Sequence, residues 1–187
     1  MTAAAPSASA FISKSRLEML FDGVFAIAMT ILVIEIKVPD LADPRSAREL
    51  ILALLQHAPS FLSYALSFGM LGIFWFDAHR QFHHIERITP RLLAVNLYLM
   101  ATAAFFPFCA ALFGRYVGNP ATMVIYLADI LLFRLGVFAQ WRLAERAGLV
   151  DSHTDPAVAA RFRVRNVRAV IILGILCGLF LALSIVA

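Results

Sequence analysis

The sequence predicts an all-α integral membrane protein, a polytopic helical bundle, and three observations carry that prediction. Of 187 residues, 61% are hydrophobic and only 15% charged, against roughly 45–50% apolar and about 25% charged in soluble domains. The apolar residues fall in five runs, and all but the second are near-continuous and close to the roughly 20 residues that cross a bilayer as a helix. None of the runs alternates at period two, which excludes a membrane barrel, whose strands are also about half as long.

The runs occupy about 21–38, 50–76, 92–114, 121–141 and 169–187. The second is mixed at its start, where Gln56, His57, Pro59 and Ser60 interrupt it. Its first turn is expected at the interface, or kinked at Pro59 with the freed backbone group satisfied by neighbouring helices. Met1–Ser15 is Ala/Ser-rich and lacks an apolar stretch with a small-residue cleavage site, so it reads as a disordered tail and not as a signal peptide. Residues 16–187 then form one transmembrane domain.

Basic residues set the orientation. Eleven of them (Lys14, Arg16, Arg80, Arg87, Arg91, Arg142, Arg146, Arg161, Arg163, Arg165 and Arg168) fall on the side of the N-terminus, and four (Lys37, Arg45, Arg48 and Arg115) on the other. The N-terminus and the arginine-rich loops are therefore expected in the cytoplasm, in the cell membrane. The net charge of +4 is what such topology produces, and it does not call for nucleic acid. Cys109 and Cys177 lie inside apolar runs without metal-ligand or disulfide spacing.

Polar groups inside or beside hydrocarbon need a partner, a cavity or an interfacial position. In the first span, Gly23, Ile27, Thr30 and Ile34 fall within about 60° of one another at 100° per residue. This stripe either packs against another helix, with the Thr30 hydroxyl bonded back to the carbonyl of Ala26 or Ile27, or faces a pore. Arg16 and Asp22 are too far around the helix to pair with each other. At the end of the second span, Trp75 suits an interfacial anchor, while Asp77, His79 and Arg80 are candidate partners for the head of the first. His79 and His83 have metal-binding spacing on a helix, but no third ligand follows. Arg134, inside the fourth span beside Asp129, is expected to reach another helix or a cavity. No phosphate loop, nucleophile elbow or hydrolase carboxylate pair is present.

These residues carry a resemblance. The head of span one resembles the signature of bacterial members of the transmembrane protein 175 family of potassium channels: Arg, three residues, Phe-Ser-Asp, then an apolar helix. Arg16 and Asp22 hold its first and last positions and Gly23-Val24-Phe25-Ala26-Ile27-Ala28 follows, while Leu20 and Phe21 stand where Phe and Ser are usual. Phe74-Trp75 through Phe82 is similar to the family's second motif, with Ala78 in place of its first His and Asp77 in place of Asn. The Pro107-Phe108 region also fits.

The resemblance implies a homotetramer of six-span subunits with a central pore lined by the first helix. It also implies a ring of bulky apolar side chains in place of a carbonyl filter, pore-facing positions at Ile27, Thr30 and Ile34, and K⁺ as the permeant ion without a cofactor. A sixth span has no counterpart after Ala187. Arg16, Asp22, Trp75, Asp77, His79 and Arg80 would form a network holding the helix heads, and the partners would be other copies of the chain, lipid and monovalent cations. Two other readings stay open: a secondary transporter, and a non-conducting accessory subunit or intramembrane enzyme.

Overall fold

The computed structural model describes residues 13–186. Its helices are α1 (Lys14–Ile34), α2 (Ala47–Gln56), α3 (Ala58–His83), α4 (Pro90–Arg115), α5 (Pro120–Arg146) and α6 (Pro156–Val186). All but α2 are long and apolar enough to cross a membrane. The disordered tail expected over Met1–Ser15 lies outside the described residues up to residue 12. From there Ser13 caps α1, accepting from the Arg16 amide, and Lys14 and Ser15 are already helical.

Local chemistry starts the spans. Thr89-Pro90, Asn119-Pro120 and Asp155-Pro156 each place a capping oxygen before a proline at the first helical position, where the missing N–H costs nothing. Thr89 accepts from the Leu92 amide, Asn119 from Ala121 and Asp155 from Ala157. The interruption at Gln56 to Ser60 is a break between two helices and not a kink: α2 ends at Gln56, and Pro59 sits in the first turn of α3. Helix α3 also runs on past Phe76 to His83, so the polar cluster that follows the apolar run is helical. Likewise Arg161 to Arg168 stand on α6, which starts well ahead of its apolar run, and not in a loop.

Helix α5 packs between α4 and α6, α1 lies against α3 and α4, and α2 touches α3 alone among the described residues. Aromatic rings form the centre. Phe74 of α3 stacks on Phe133 of α5 at 4.1 Å between centroids and meets Phe106 of α4 edge-on, while Phe25 of α1 meets Phe133 and Phe21 meets Phe82. Such pairs add about 0.5–1.5 kcal/mol each beyond burial. The α4–α5 contact depends on Gly136, where a Cβ would stand 2.6 Å from Leu99 Cδ2. Small residues of this kind let membrane helices approach closely. Two buried serine hydroxyls bond across helices: Ser63 donates to the Ala110 carbonyl at 2.6 Å, and Ser67 and Tyr126 share a bond of 3.1 Å.

At the arginine-rich end the two short loops bind each other. The Glu86 amide donates to the Leu149 carbonyl and the Asp151 amide to the His84 carbonyl, both at 2.9 Å, around the Ile85–Val150 bridge.

Candidate functional site

Helix α1 has two unlike faces. Leu17, Phe21, Phe25, Ala28 and Leu32 are buried against the other helices, following the i, i+4, i+3 spacing of a single helical face. On the opposite side Gly23, Ile27, Thr30 and Ile34 are exposed, Ile27 by 61% and Ile34 by 68%. The stripe therefore does not pack inside its own subunit. The Thr30 hydroxyl donates to the Ile27 carbonyl at 2.8 Å. With its proton turned into the helix, the oxygen keeps its lone pairs for the exposed side, and a cation needs acceptors of that kind.

The motif residues divide into two sets on opposite sides of α3. The Trp75 indole N–H donates to Asp22 Oδ1 at 2.7 Å, and His79 stacks on Trp75 at 5.3 Å. Trp75 is thus a partner for the head of α1 and not merely an interfacial anchor. Asp77, two positions on and about 200° around the helix, points the other way. It accepts from Arg134 of α5, and Arg165 of α6 stands 2.9 Å away. Asp77 does not partner the head of α1 as its place in the sequence predicts, because the turn of α3 directs it to α5 and α6. Arg134 does reach another helix. Arg165 is a charge that the sequence suggests to be solvated, and only its place on α6 shows its role. Arg80 lies over the rings of Phe76 and Phe162, and Arg16 is exposed with no ion pair among the described residues.

One carboxylate between two guanidinium groups is a charged cluster in a mostly apolar bundle. The side chains of Asp77 and Arg134 are only 8% and 12% exposed, so each depends on the other for compensation. Below it, His84 contacts Trp141 and Phe162 edge-on and its Nδ1 is 3.2 Å from the Thr154 hydroxyl. Burial, then the neighbouring His83 and Arg80, lower the His84 pKa from its ordinary value, against an opposing pull from Asp151. Gln81, Gln140 and Asn166 are fully buried at this end, and none stands out in the sequence. Among the described residues no three His, Cys, Asp or Glu side chains are grouped as a metal site would need.

Five spans of this length and a charge cluster joining three of them define a polytopic α-helical membrane protein. Residues 16–107 match the family described as "Endosomal/lysosomal potassium channel TMEM175". A protein named a potassium channel in Streptomyces collinus is 32% identical, with 81% of this chain and 75% of that one covered. Another in Chamaesiphon minutus is 33% identical, with 79% and 76% covered. The human protein named "Endosomal/lysosomal proton channel TMEM175" is 28% identical over 142 residues, which make up 28% of its length. The fold superimposes with a TM-score of 0.70 on the crystal structure of a lysosomal potassium-selective channel TMEM175 homolog from Chamaesiphon minutus, at 27% identity, covering 92% of this chain and 93% of that one. The chain belongs to the TMEM175 family.

Proposed function

We propose that the protein is a potassium-permeable cation channel, a homotetramer in which α1 of each subunit lines a central pore. The observation that carries this reading is the α1 face formed by Gly23, Ile27, Thr30 and Ile34, exposed in the subunit and opposite the buried Phe21–Phe25–Leu32 face. One such stripe cannot enclose a pore, and a closed ring of copies does so while covering it. Four Ile27 side chains then make an apolar constriction that conducts when wetted, and the Thr30 oxygens one turn away ligate a partly dehydrated ion. A ring of this type discriminates by diameter and dehydration cost, so the preference for K⁺ over Na⁺ is modest.

The Asp22–Trp75–His79 set positions the head of α1 against α3, and Asp77 with Arg134 and Arg165 anchors α3 to α5 and α6. Neither set touches the ion. The excess of basic residues at that end puts the N-terminus in the cytoplasm, and the chain performs no enzymatic reaction.

The test is flux through purified protein in liposomes with K⁺, Na⁺ and a proton gradient applied in turn, since relatives are named for potassium and for protons. Native mass spectrometry of the same preparation counts the subunits. Passive K⁺ flux from a tetramer supports the reading. Saturable ion-coupled flux indicates a transporter, and a monomer in every detergent and lipid removes the pore.

A further inference from the structure

At the end of the bundle opposite the arginine-rich one, α1, α3 and α4 flank an open cavity of about 540 Å³. Two features shape it. Gly114 brings α4 so close to α3 that a Cβ there would meet Ser63 Cβ at 3.0 Å, whereas α1 stops at Ile34 and leaves the third wall short. The rim carries Lys37 and Arg115, neither in an ion pair among the described residues, and one carboxylate, Glu35. The lower wall is apolar, with Leu32, Leu112 and Phe108. Phe108 is 53% exposed and packs beside the exposed Phe105 at 5.2 Å, so the apolar surface continues from the cavity down the outside of α4.

Two cations without an ion-pair partner among the described residues, above an apolar wall at the level where three spans end, match a molecule with a phosphate head and a hydrocarbon tail. The volume lies within the roughly 300–1,000 Å³ of small-ligand sites. A guanidinium fork fits phosphate oxygens in two bonds, and Glu35 in the same lining offers an acceptor to an amine on the same head. We propose that this cavity is a binding site for an amine-bearing phospholipid of the adjacent leaflet. Its phosphate lies between Lys37 and Arg115, its ammonium at Glu35 and its acyl chain along Phe108 and Phe105. A free phosphate ion shares the cation chemistry but leaves the apolar wall and Glu35 unused.

The experiment is native mass spectrometry of the assembled protein released from vesicles of equal parts phosphatidylethanolamine and phosphatidylglycerol. The site predicts preferential retention of phosphatidylethanolamine. Lys37→Gln and Arg115→Gln should each weaken retention about fivefold, Arg115→Lys should weaken it less, and Glu35→Gln should remove the preference for the amine. The assembled mass in the same spectra reports that each variant folds. Equal retention in the parent protein, Lys37→Gln and Arg115→Gln would overturn the proposal. So would displacement of the lipid by millimolar inorganic phosphate, which would mark a site for the free ion.

Discussion

Phe25 and Ile27 are two residues apart on α1 and have opposite surroundings, Phe25 1% exposed against the Phe21 and Phe133 rings and Ile27 61% exposed. The helix therefore uses one face to hold the subunit together and offers the other to something outside it. Phe25→Ala should lower subunit stability by about 3–5 kcal/mol, as for other buried aromatics. Ile27→Ala should stay within about 0.5 kcal/mol. Thermal unfolding of both variants in one detergent measures the contrast, and similar losses would mean that Ile27 is packed.

Asp77 has two guanidinium partners and little solvent. Asp77→Ala leaves Arg134 buried without a counter-charge and should cost about 3–5 kcal/mol, whereas the double exchange Asp77→Leu with Arg134→Leu should recover much of that loss. A double-mutant cycle on unfolding free energies provides the check. Additive losses would show that the pair is not coupled.

The bond from Trp75 to Asp22 joins the head of α1 to α3. Removing it with Asp22→Ala or Trp75→Phe should cost on the order of 1 kcal/mol and reduce the assembled fraction before it changes ion preference. Size-exclusion profiles set beside flux ratios at matched assembled protein test the order of effects. Normal assembly with altered selectivity would assign Asp22 to the ion path.

His84 holds its neutral form more strongly in the folded chain than unfolded, since burial, His83 and Arg80 lower its pKa. The unfolded chain then binds more protons, so this contribution is complete above the ordinary histidine pKa of about 6.5 and is lost as the pH falls below it. The Trp141–Phe162–Thr154 contacts should loosen as the pH falls below that ordinary value. His84→Gln should flatten that part of the stability–pH curve. An unchanged slope would assign the acid sensitivity elsewhere.

Much of this architecture is legible in the amino-acid order because hydrocarbon imposes a simple length rule. The apolar runs mark the spans, and the Gly23–Ile34 stripe follows from the helical period alone. Side-chain partners are less legible. Trp75 and Asp77 are neighbours in sequence yet serve different helices, and only the turn of α3 relative to α1 and α5 decides which. Arg165 looks like a loop charge because the apolar run of α6 begins after it, although the helix begins at Pro156. The same difficulty hides Gln81, Gln140 and Asn166, whose burial arises from packing between helices and leaves no periodic signal.

The central claim, that the free face of α1 lines the ion path, is tested most directly by conduction through Ile27→Asn. Amides in place of the apolar ring bind water and ions, so single-channel or liposome flux at matched tetramer content should rise and discrimination between K⁺ and Na⁺ should weaken. Thr30→Val, nearly the same shape without the hydroxyl, should lower K⁺ preference while leaving assembly intact. Flux and selectivity unchanged in both variants would contradict the account and show that the stripe packs against protein.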